Sequence, residues 1–261
     1  MIQNITSRKN SAVKRIRSLQ MGKYRRELGE FVIEGIKPVC DAAAAGAEIV
    51  CAAAAYQQAE LAERLFGDQK IPVYTMPDEV FASLSETEAA QGILVCVRIP
   101  QEEWKPAERG FYLYCDGISD PGNAGTIIRI ADAVRADGVL FSPDSVDVFS
   151  GKTVRSAAGS FFHVKVYPKM EWDRLLELKN MHYTIAGGIL DSDSVGYLHA
   201  DLTPPVALVI GNEANGISPP VREICTQKVI IPILGQAESL NAAVAAALLC
   251  YEVRRREGKL E

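Results

Sequence analysis

The chain is poor in the residues that build metal centres and covalent frames. Among 261 residues there are three histidines and six cysteines. His163, His182 and His199 do not combine with any cysteine at metal-ligand spacing, so no metal site is expected. Cys40, Cys51, Cys96, Cys115, Cys225 and Cys250 are scattered, without a CxxC pair, and several lie inside apolar runs. The expectation is buried free thiols in a reducing compartment. No GxGxxG follows a strand pattern and no GxxxxGK motif occurs, which leaves the common dinucleotide and nucleoside-triphosphate sites without support. The longest apolar run, Ala242 to Tyr251, is far short of the roughly 20 residues that span a bilayer. The opening MIQNITSRKN lacks the apolar segment of a signal peptide. A cytoplasmic protein with no membrane partner is expected.

What the sequence does contain is the material of a full core. It is 48% hydrophobic and 23% charged, with mean hydropathy +0.03, which excludes a disordered chain. The length fits one large domain or two of ordinary size. A net charge of −5 argues, taken alone, against a nucleic-acid partner. The distribution argues otherwise. Residues 1–30 carry Arg8, Lys9, Lys14, Arg15, Arg17, Lys23, Arg25 and Arg26 against only Glu27 and Glu30, a local +6 that leaves −11 on the remainder. A basic head on an acidic body is the asymmetry expected of a protein that meets a polyanion, although a solvated charged helix gives the same pattern.

Beyond a helix expected from about Ser11 to Met21, apolar runs alternate with helical stretches. Strands are expected at Phe31–Glu34, Glu48–Cys51, Val73–Met76 and Gly92–Val97, with helices at Ile36–Ala45, Gln57–Phe66 and just after Pro77, the pattern of βαβ units. The alanine runs Ala42–Ala45 and Ala52–Ala55 read as packing surface. Pro100–Arg109 is polar, carries two prolines and has no periodicity, so it reads as a linker. A second series follows, with strands at Phe111–Cys115, Val139–Phe141, Val164–Tyr167, Tyr183–Ala186, Ala207–Ile210 and Val229–Ile231. Its helices are expected at Asn123–Val134, Gly151–Ala158, Trp172–Asn180 and Leu240–Arg255. Short apolar strands without polar alternation suit a parallel sheet covered on both faces. Ligands of such sheets sit in loops beyond the carboxyl ends of the strands.

Three loops qualify. In Asp116–Arg129, glycines permit a tight turn, Asn123 is a good helix cap, and Arg129, nearly two turns on, is expected along the Asn123 face. In Leu208–Ser218, Gly211 and Gly216 bracket Glu213 just after a buried strand. In Ile231–Ala245, Gly235 breaks the chain, Ser239 is the expected N-cap of the last helix, and Asn241 falls in its first turn. That helix is apolar nearly all round and is expected to be buried against the sheet or a partner. Each loop alone is equally well read as ordinary strand and helix termini.

Taken together, N-x-G-x-x-x-R at 123–129, IGNEANGIS at 210–218 and IPILGQAESLNAAVA at 231–245 follow one another in the order and spacing of the SpoU/TrmH family. Over about residues 111–256 the chain strongly resembles these RNA 2′-O-ribose methyltransferases of the SPOUT class. The stretch Arg155–Ser160 also matches. ITSRKNSAVKRIRSL and FVIEGIKPV resemble an RNA-binding domain fused to many members. Ile233, Ala237 and Ala243 stand where the family often has Met, Val and Ser.

The resemblance implies an α/β protein. A small α/β sandwich of ribosomal-protein type would bind the RNA substrate over residues 1–100, a linker would follow at 101–110, and a parallel-sheet SPOUT domain with a trefoil knot would occupy 111–261. It further implies S-adenosylmethionine-dependent methylation of a ribose 2′-hydroxyl in ribosomal or transfer RNA, by a homodimer. Arg129, Asn123, Glu213, Ser239 and Asn241 would be catalytic. Gly211, Asn212, Ile231, Gly235 and Leu240 would hold the cofactor, and the eight basic residues of the head would bind RNA. The alternatives are a non-catalytic RNA-binding protein that retains the fold, and a nucleotide-dependent enzyme acting on a small metabolite.

Overall fold

The computed structural model describes residues 2–101 and 103–260. The chain divides into two compact units, Met1–Gln101 with Phe149–Phe162, and Glu102–Val148 with His163–Glu261.

The first unit holds a five-stranded sheet. Its strands are β1 (Ile2–Asn4), β2 (Glu30–Glu34), β3 (Ile49–Ala55), β4 (Val73–Met76) and β5 (Ile93–Arg98), in the order β1-β4-β3-β5-β2. The helices are α1 (Ser11–Ser18), α2 (Gly22–Leu28), α3 (Ile36–Ala44), α4 (Ala59–Phe66) and α5 (Asp78–Phe81). The single helix expected over Ser11–Met21 is therefore two, the first capped by Asn10, whose side chain accepts from the Ala12 N–H. β1, β4 and β3 are parallel, but β5 is antiparallel to both β3 and β2. The βαβ reading fails there because α5 is a single turn that rises about 6 Å, so the chain returns from the same end of the sheet. The alanine run Ala52–Ala55 extends β3. Cys51, Ala53 and Ala55, with Leu94 and Cys96 of β5, pack beneath Val13 and Ile16 of α1 and Leu19 at its C-cap.

Glu30, almost fully buried at the start of β2, is held by Arg15 at 2.6 Å and Arg98 at 3.1 Å. The segment Phe149–Phe162 completes this unit. It carries α7 (Gly151–Ala157), Phe149 and Phe161 pack against Phe31 with ring centroids 5.1 and 5.8 Å away, and Arg155 meets Glu86.

The second unit holds a seven-stranded, wholly parallel sheet. Its strands are β6 (Phe111–Asp116), β7 (Gly138–Phe141), β8 (Val166–Tyr167), β9 (Thr184–Gly188), β10 (Val195–Gly196), β11 (Val206–Gly211) and β12 (Gln227–Ile230), in the order β10-β12-β9-β11-β6-β7-β8. The helices are α6 (Pro121–Ala133), α8 (Asp173–Asn180), α9 (Pro219–Ile224) and α10 (Ala242–Arg256). α8 and α9 bury Leu175, Leu178, Val221 and Ile224 against Tyr112, Tyr114, Ile185 and Val209. α10 packs on α6 and β11. Helices on both sides explain why these strands read as unbroken apolar runs.

Much of the expected linker is fixed to this unit. Trp104 sets its ring edge against Tyr112 and Tyr167 and donates from Nε1 to Glu177 at 2.8 Å. The Tyr183 hydroxyl donates to the Ala107 carbonyl and accepts from the Gly110 N–H, and burial pushes its pKa up to about 12.

Candidate active site

β6 and β11 lie side by side in register, Gly211 opposite Asp116, so the loops that leave their carboxyl ends start level with one another. Gly211 passes so close to the next turn that a Cβ would lie 2.5 Å from the Gly216 carbonyl carbon and 2.6 Å from the Ile217 nitrogen. Only glycine permits that approach. Asn212 and Gly216 then pair main chain to main chain in both directions at 2.9 Å. The Asn212 side chain accepts from the Ala214 and Asn215 N–H groups and donates to the Gly117 carbonyl at 2.7 Å. Asn212, one of the residues expected to hold the cofactor, has its polar groups engaged in shaping this turn and tying it to the first loop. Asp116 reinforces the tie by accepting from the Ser218 N–H at 2.6 Å.

The turn presents Glu213 to the first loop. Its carboxylate accepts from the Ser119 hydroxyl at 2.8 Å and N–H at 3.2 Å, the Asp120 N–H at 3.3 Å and the Asn123 side-chain amide at 2.8 Å. Partial burial pushes the Glu213 pKa up, but the Asn123 and Ser119 hydrogen bonds outweigh it and hold the carboxyl at about 2. Asn123 faces Glu213 because α6 is capped one turn earlier, by Asp120, whose carboxylate accepts from the Asn123 N–H. The expected cap at Asn123 is thus displaced to Asp120, and the Asn123 amide is available for the site.

The third loop joins through Asn241. Its Nδ2 donates to the Asn123 Oδ1 at 2.8 Å, while its own Oδ1 accepts from the Ala243 and Val244 N–H groups. Asn241, not Ser239, is therefore the N-cap of α10. Ser239 lies in an exposed run over residues 232–240 and joins none of these contacts. One directional chain of amides results. α10 N–H groups fix the Asn241 oxygen, Asn241 fixes Asn123, and Asn123 donates to an anion.

Arg129 stands apart from this chain. At about 100° per residue it sits roughly 120° around the α6 axis from Asn123, not along the same face. It is exposed, and its guanidinium makes no ion pair or hydrogen bond among the described residues.

Among the residues expected to hold a cofactor, Ile231 is half-buried while Gly235 and Leu240 are exposed. Main-chain groups of residues 233–240 make no hydrogen bond within the protein among the described residues, and Ile233, Leu234 and Leu240 present apolar side chains to solvent. Free amide and carbonyl groups beside apolar surface are a donor set that suits an adenosine-bearing cofactor. Sequence reasoning missed Ser119 and Asp116. Each precedes its helix without motif spacing, and only the meeting of the two loops gives them partners.

In the basic head, Lys9, Lys14, Arg17, Lys23 and Arg26 are exposed. Arg8 is also exposed but bonds the Glu79 carbonyl. The other two expected RNA contacts have protein partners. Arg25 is 6% exposed and donates to the Leu19 and Gln20 carbonyls at 2.8 Å, and Arg15 is committed to Glu30. Among the described residues, no three or more His, Cys, Asp or Glu side chains form a group able to hold a metal ion, and no helix is long and apolar enough to cross a membrane.

Comparison with known proteins agrees with this architecture. Residues 110–251 match the SpoU rRNA Methylase family, and residues 10–95 match the MRM3-like substrate binding domain. A 23S rRNA (guanosine(2553)-2′-O)-methyltransferase of Bacillus subtilis is 34% identical over 97% of this chain and 100% of its own length. A 23S rRNA (uridine(2479)-2′-O)-methyltransferase of Streptomyces viridochromogenes is 30% identical over 97% of this chain and 92% of its own. The crystal structure of an AdoMet-bound rRNA methyltransferase from Sinorhizobium meliloti superposes with a TM-score of 0.89 at 29% identity, covering 98% of both chains. With its three signature loops joined through Glu213, Asn123 and Asn241, the chain belongs to the SpoU rRNA methylase family.

Proposed function

We propose that this protein methylates a ribose 2′-hydroxyl of ribosomal RNA, with S-adenosylmethionine as donor. The observation that carries the reading is the unbroken chain from Glu213 through Asn123 to Asn241, which fixes three separate loops in one arrangement. Ribosomal rather than transfer RNA is favoured because the Bacillus and Streptomyces relatives, which match along nearly the whole chain, are named for 23S rRNA.

S-adenosylmethionine, when bound, supplies a methyl group already made electrophilic by its sulfonium. The free main chain of residues 233–240, together with Ile231 and the Gly211 turn, would hold it. The chain's own work is alignment. Glu213 is fully occupied by donors and, with its pKa at about 2, is a weak base at neutral pH, so it acts as a fixed anion that orients Asn123 and, through it, Asn241. Arg129 is the free cation of the first loop's helix. A guanidinium keeps its proton below roughly pH 12, so Arg129 binds the neighbouring phosphate and stabilises negative charge at the 2′-oxygen while the hydroxyl proton is lost to water. RNA capture falls to the exposed cations Lys9, Lys14, Arg17, Lys23 and Arg26, on a head of net +6.

The working form in this reading is a homodimer. Val244, Leu248 and Tyr251, at helical spacing on α10, remain 50, 36 and 46% exposed, an apolar stripe suited to a second copy. Threading of the last segment through a loop to form the knot belongs to the same proposal. The return of α10 from β12 past β9 to pack on β11 and α6 supports it.

Mapping alkali-resistant 2′-O-methyl positions on ribosomal and transfer RNA, from cells with and without the gene, tests the function. A mark in ribosomal RNA that disappears with the gene is expected, and unchanged maps refute it. In the purified protein, Arg129→Lys is expected to lower kcat by about tenfold or more, since an ammonium cannot reproduce the planar two-point contact. Near-normal turnover would exclude Arg129 from phosphate binding and charge stabilisation.

A further inference from the structure

α2 is inside out. The side chain it buries is a cation, Arg25, while apolar Met21 at its N-cap is 55% exposed and Tyr24, one turn on, is half-buried outside the core that gathers Val13, Ile16 and Leu19. Burying a guanidinium costs far more than burying a methionine unless its donors are satisfied. Here they are aimed at the Leu19 and Gln20 carbonyls, in the turn between α1 and α2. The effect is to brace that turn rigidly and to leave Met21 and Tyr24 at the surface. The same two helices carry exposed cations with no ion pair among the described residues: Lys23 and Arg26 flank Tyr24 in the α2 sequence, and Lys14 and Arg17 lie on α1. The Lys23 ammonium lies 5.8 Å from the Tyr24 ring centroid, and the Tyr24 hydroxyl has no partner among the described residues.

We propose that Met21 and Tyr24 form a stacking platform for an unpaired base of the RNA substrate, with Lys14, Arg17, Lys23 and Arg26 gripping the flanking phosphates. The inference rests on the reading of the head as the RNA-capturing part. It adds the part of the RNA that is recognised, a splayed single-stranded segment rather than a continuous duplex. A ring with a basic rim is the surface that takes single-stranded RNA, because every base offers a π-face to an aromatic side chain, whereas the bases of a duplex are stacked on one another and closed to it. A preformed platform also avoids the ordering cost that a flexible loop incurs on binding.

The test uses the full-length protein and two labelled RNAs, a stem–loop with an unstructured loop and a blunt duplex built from the same stem, compared by fluorescence anisotropy. Tyr24→Ala is expected to weaken stem–loop binding about tenfold and to leave duplex binding within about twofold, in line with the loss of one stacked base. Tyr24→Phe retains the ring and restores stem–loop affinity. Tyr24→Leu retains the buried bulk, so it keeps the fold while removing the π-face, and it is expected to behave like Tyr24→Ala. Stem–loop binding by Tyr24→Leu as tight as wild type, or equal losses on both RNAs, overturns the platform. The double variant Lys14→Glu/Arg17→Glu separates the premise from the inference. It weakens both RNAs and flattens the salt dependence if the head captures RNA, and if it changes neither, the capture reading itself fails.

Discussion

The Glu213 carboxylate accepts from four donors on a single loop, and that occupancy decides how it responds to acid. Its pKa lies at about 2, below the ordinary value of 4.5. A depressed carboxyl adds stability above its ordinary pKa and loses it as pH falls toward the folded value. The junction between the first two loops is therefore intact above about pH 4.5 and loosens between there and pH 2. Glu213 should contribute no inflection to the rate–pH profile between pH 5 and 9, and Glu213→Gln should lower kcat by about a hundredfold at every pH in that range, through misalignment rather than loss of a base. A variant that instead regains activity at high pH would make Glu213 a general base. Gly211 shows the same dependence on contact. With a Cβ forced to 2.5 Å from backbone, Gly211→Ala should cost about 2 kcal/mol in urea unfolding and displace the Glu213 turn. Glu213 is visible in the sequence as a carboxylate after a strand. Its donors Ser119 and Asp120 are not, because a hydrogen bond across some 90 residues leaves no local periodicity.

At the scale of elements, most strands and helices are legible because burial imposes a period, 2 or 3.6, on the residues themselves. Apart from the direction of β5, the errors fall at termini, where a cap depends on which oxygen reaches which N–H. Ser239 and Asn123 are both good caps by residue type, and Asn241 and Asp120 hold those positions because the loops before them are drawn elsewhere. β1, β10 and α9 are two to six residues long, too short to show any period. The cap of α10 makes a separable prediction. Asn241→Asp keeps an oxygen for the Ala243 and Val244 N–H groups, but turns an acceptor toward the Asn123 oxygen in place of a donor. The helix should lose no more than about 0.5 kcal/mol, while methyl transfer falls by an order of magnitude or more. Asn241→Ala should lose both, with about 1 kcal/mol of stability gone. Thermal unfolding beside single-turnover rates distinguishes the two, and equal rates for wild type and Asn241→Asp would show that the amide chain carries no catalytic weight.

At the scale of the whole molecule, the division of charge at residue 30 is legible as a sum over sequence, but the membership of Phe149–Phe162 in the first unit is not. Nothing in that segment's composition ties it to Phe31, more than a hundred residues earlier. A fragment of residues 1–101 should consequently expose the Phe31 face, bind a hydrophobic dye and unfold without a cooperative transition, and a sharp transition would show that the segment is dispensable. The face of α10 poses the complementary question. Its apolar character is plain in the sequence, as is the need for something to cover it, yet α6 and β11 cover only Ala242, Ala246, Leu249, Cys250 and Val253 and their neighbours. Val244, Leu248 and Tyr251 recur at i, i+4 and i+7 on the uncovered side, the spacing by which one helix meets another. If a second copy lies there, Leu248→Glu places a carboxylate in the middle of a desolvated stripe, and the assembly should fall from twice the 28.4 kDa chain mass to that mass in light scattering. The same variant should retain its thermal transition, because Leu248 is already partly in water in the single chain. A wild-type protein that elutes at one chain mass at all concentrations would mean that the stripe is not a subunit interface.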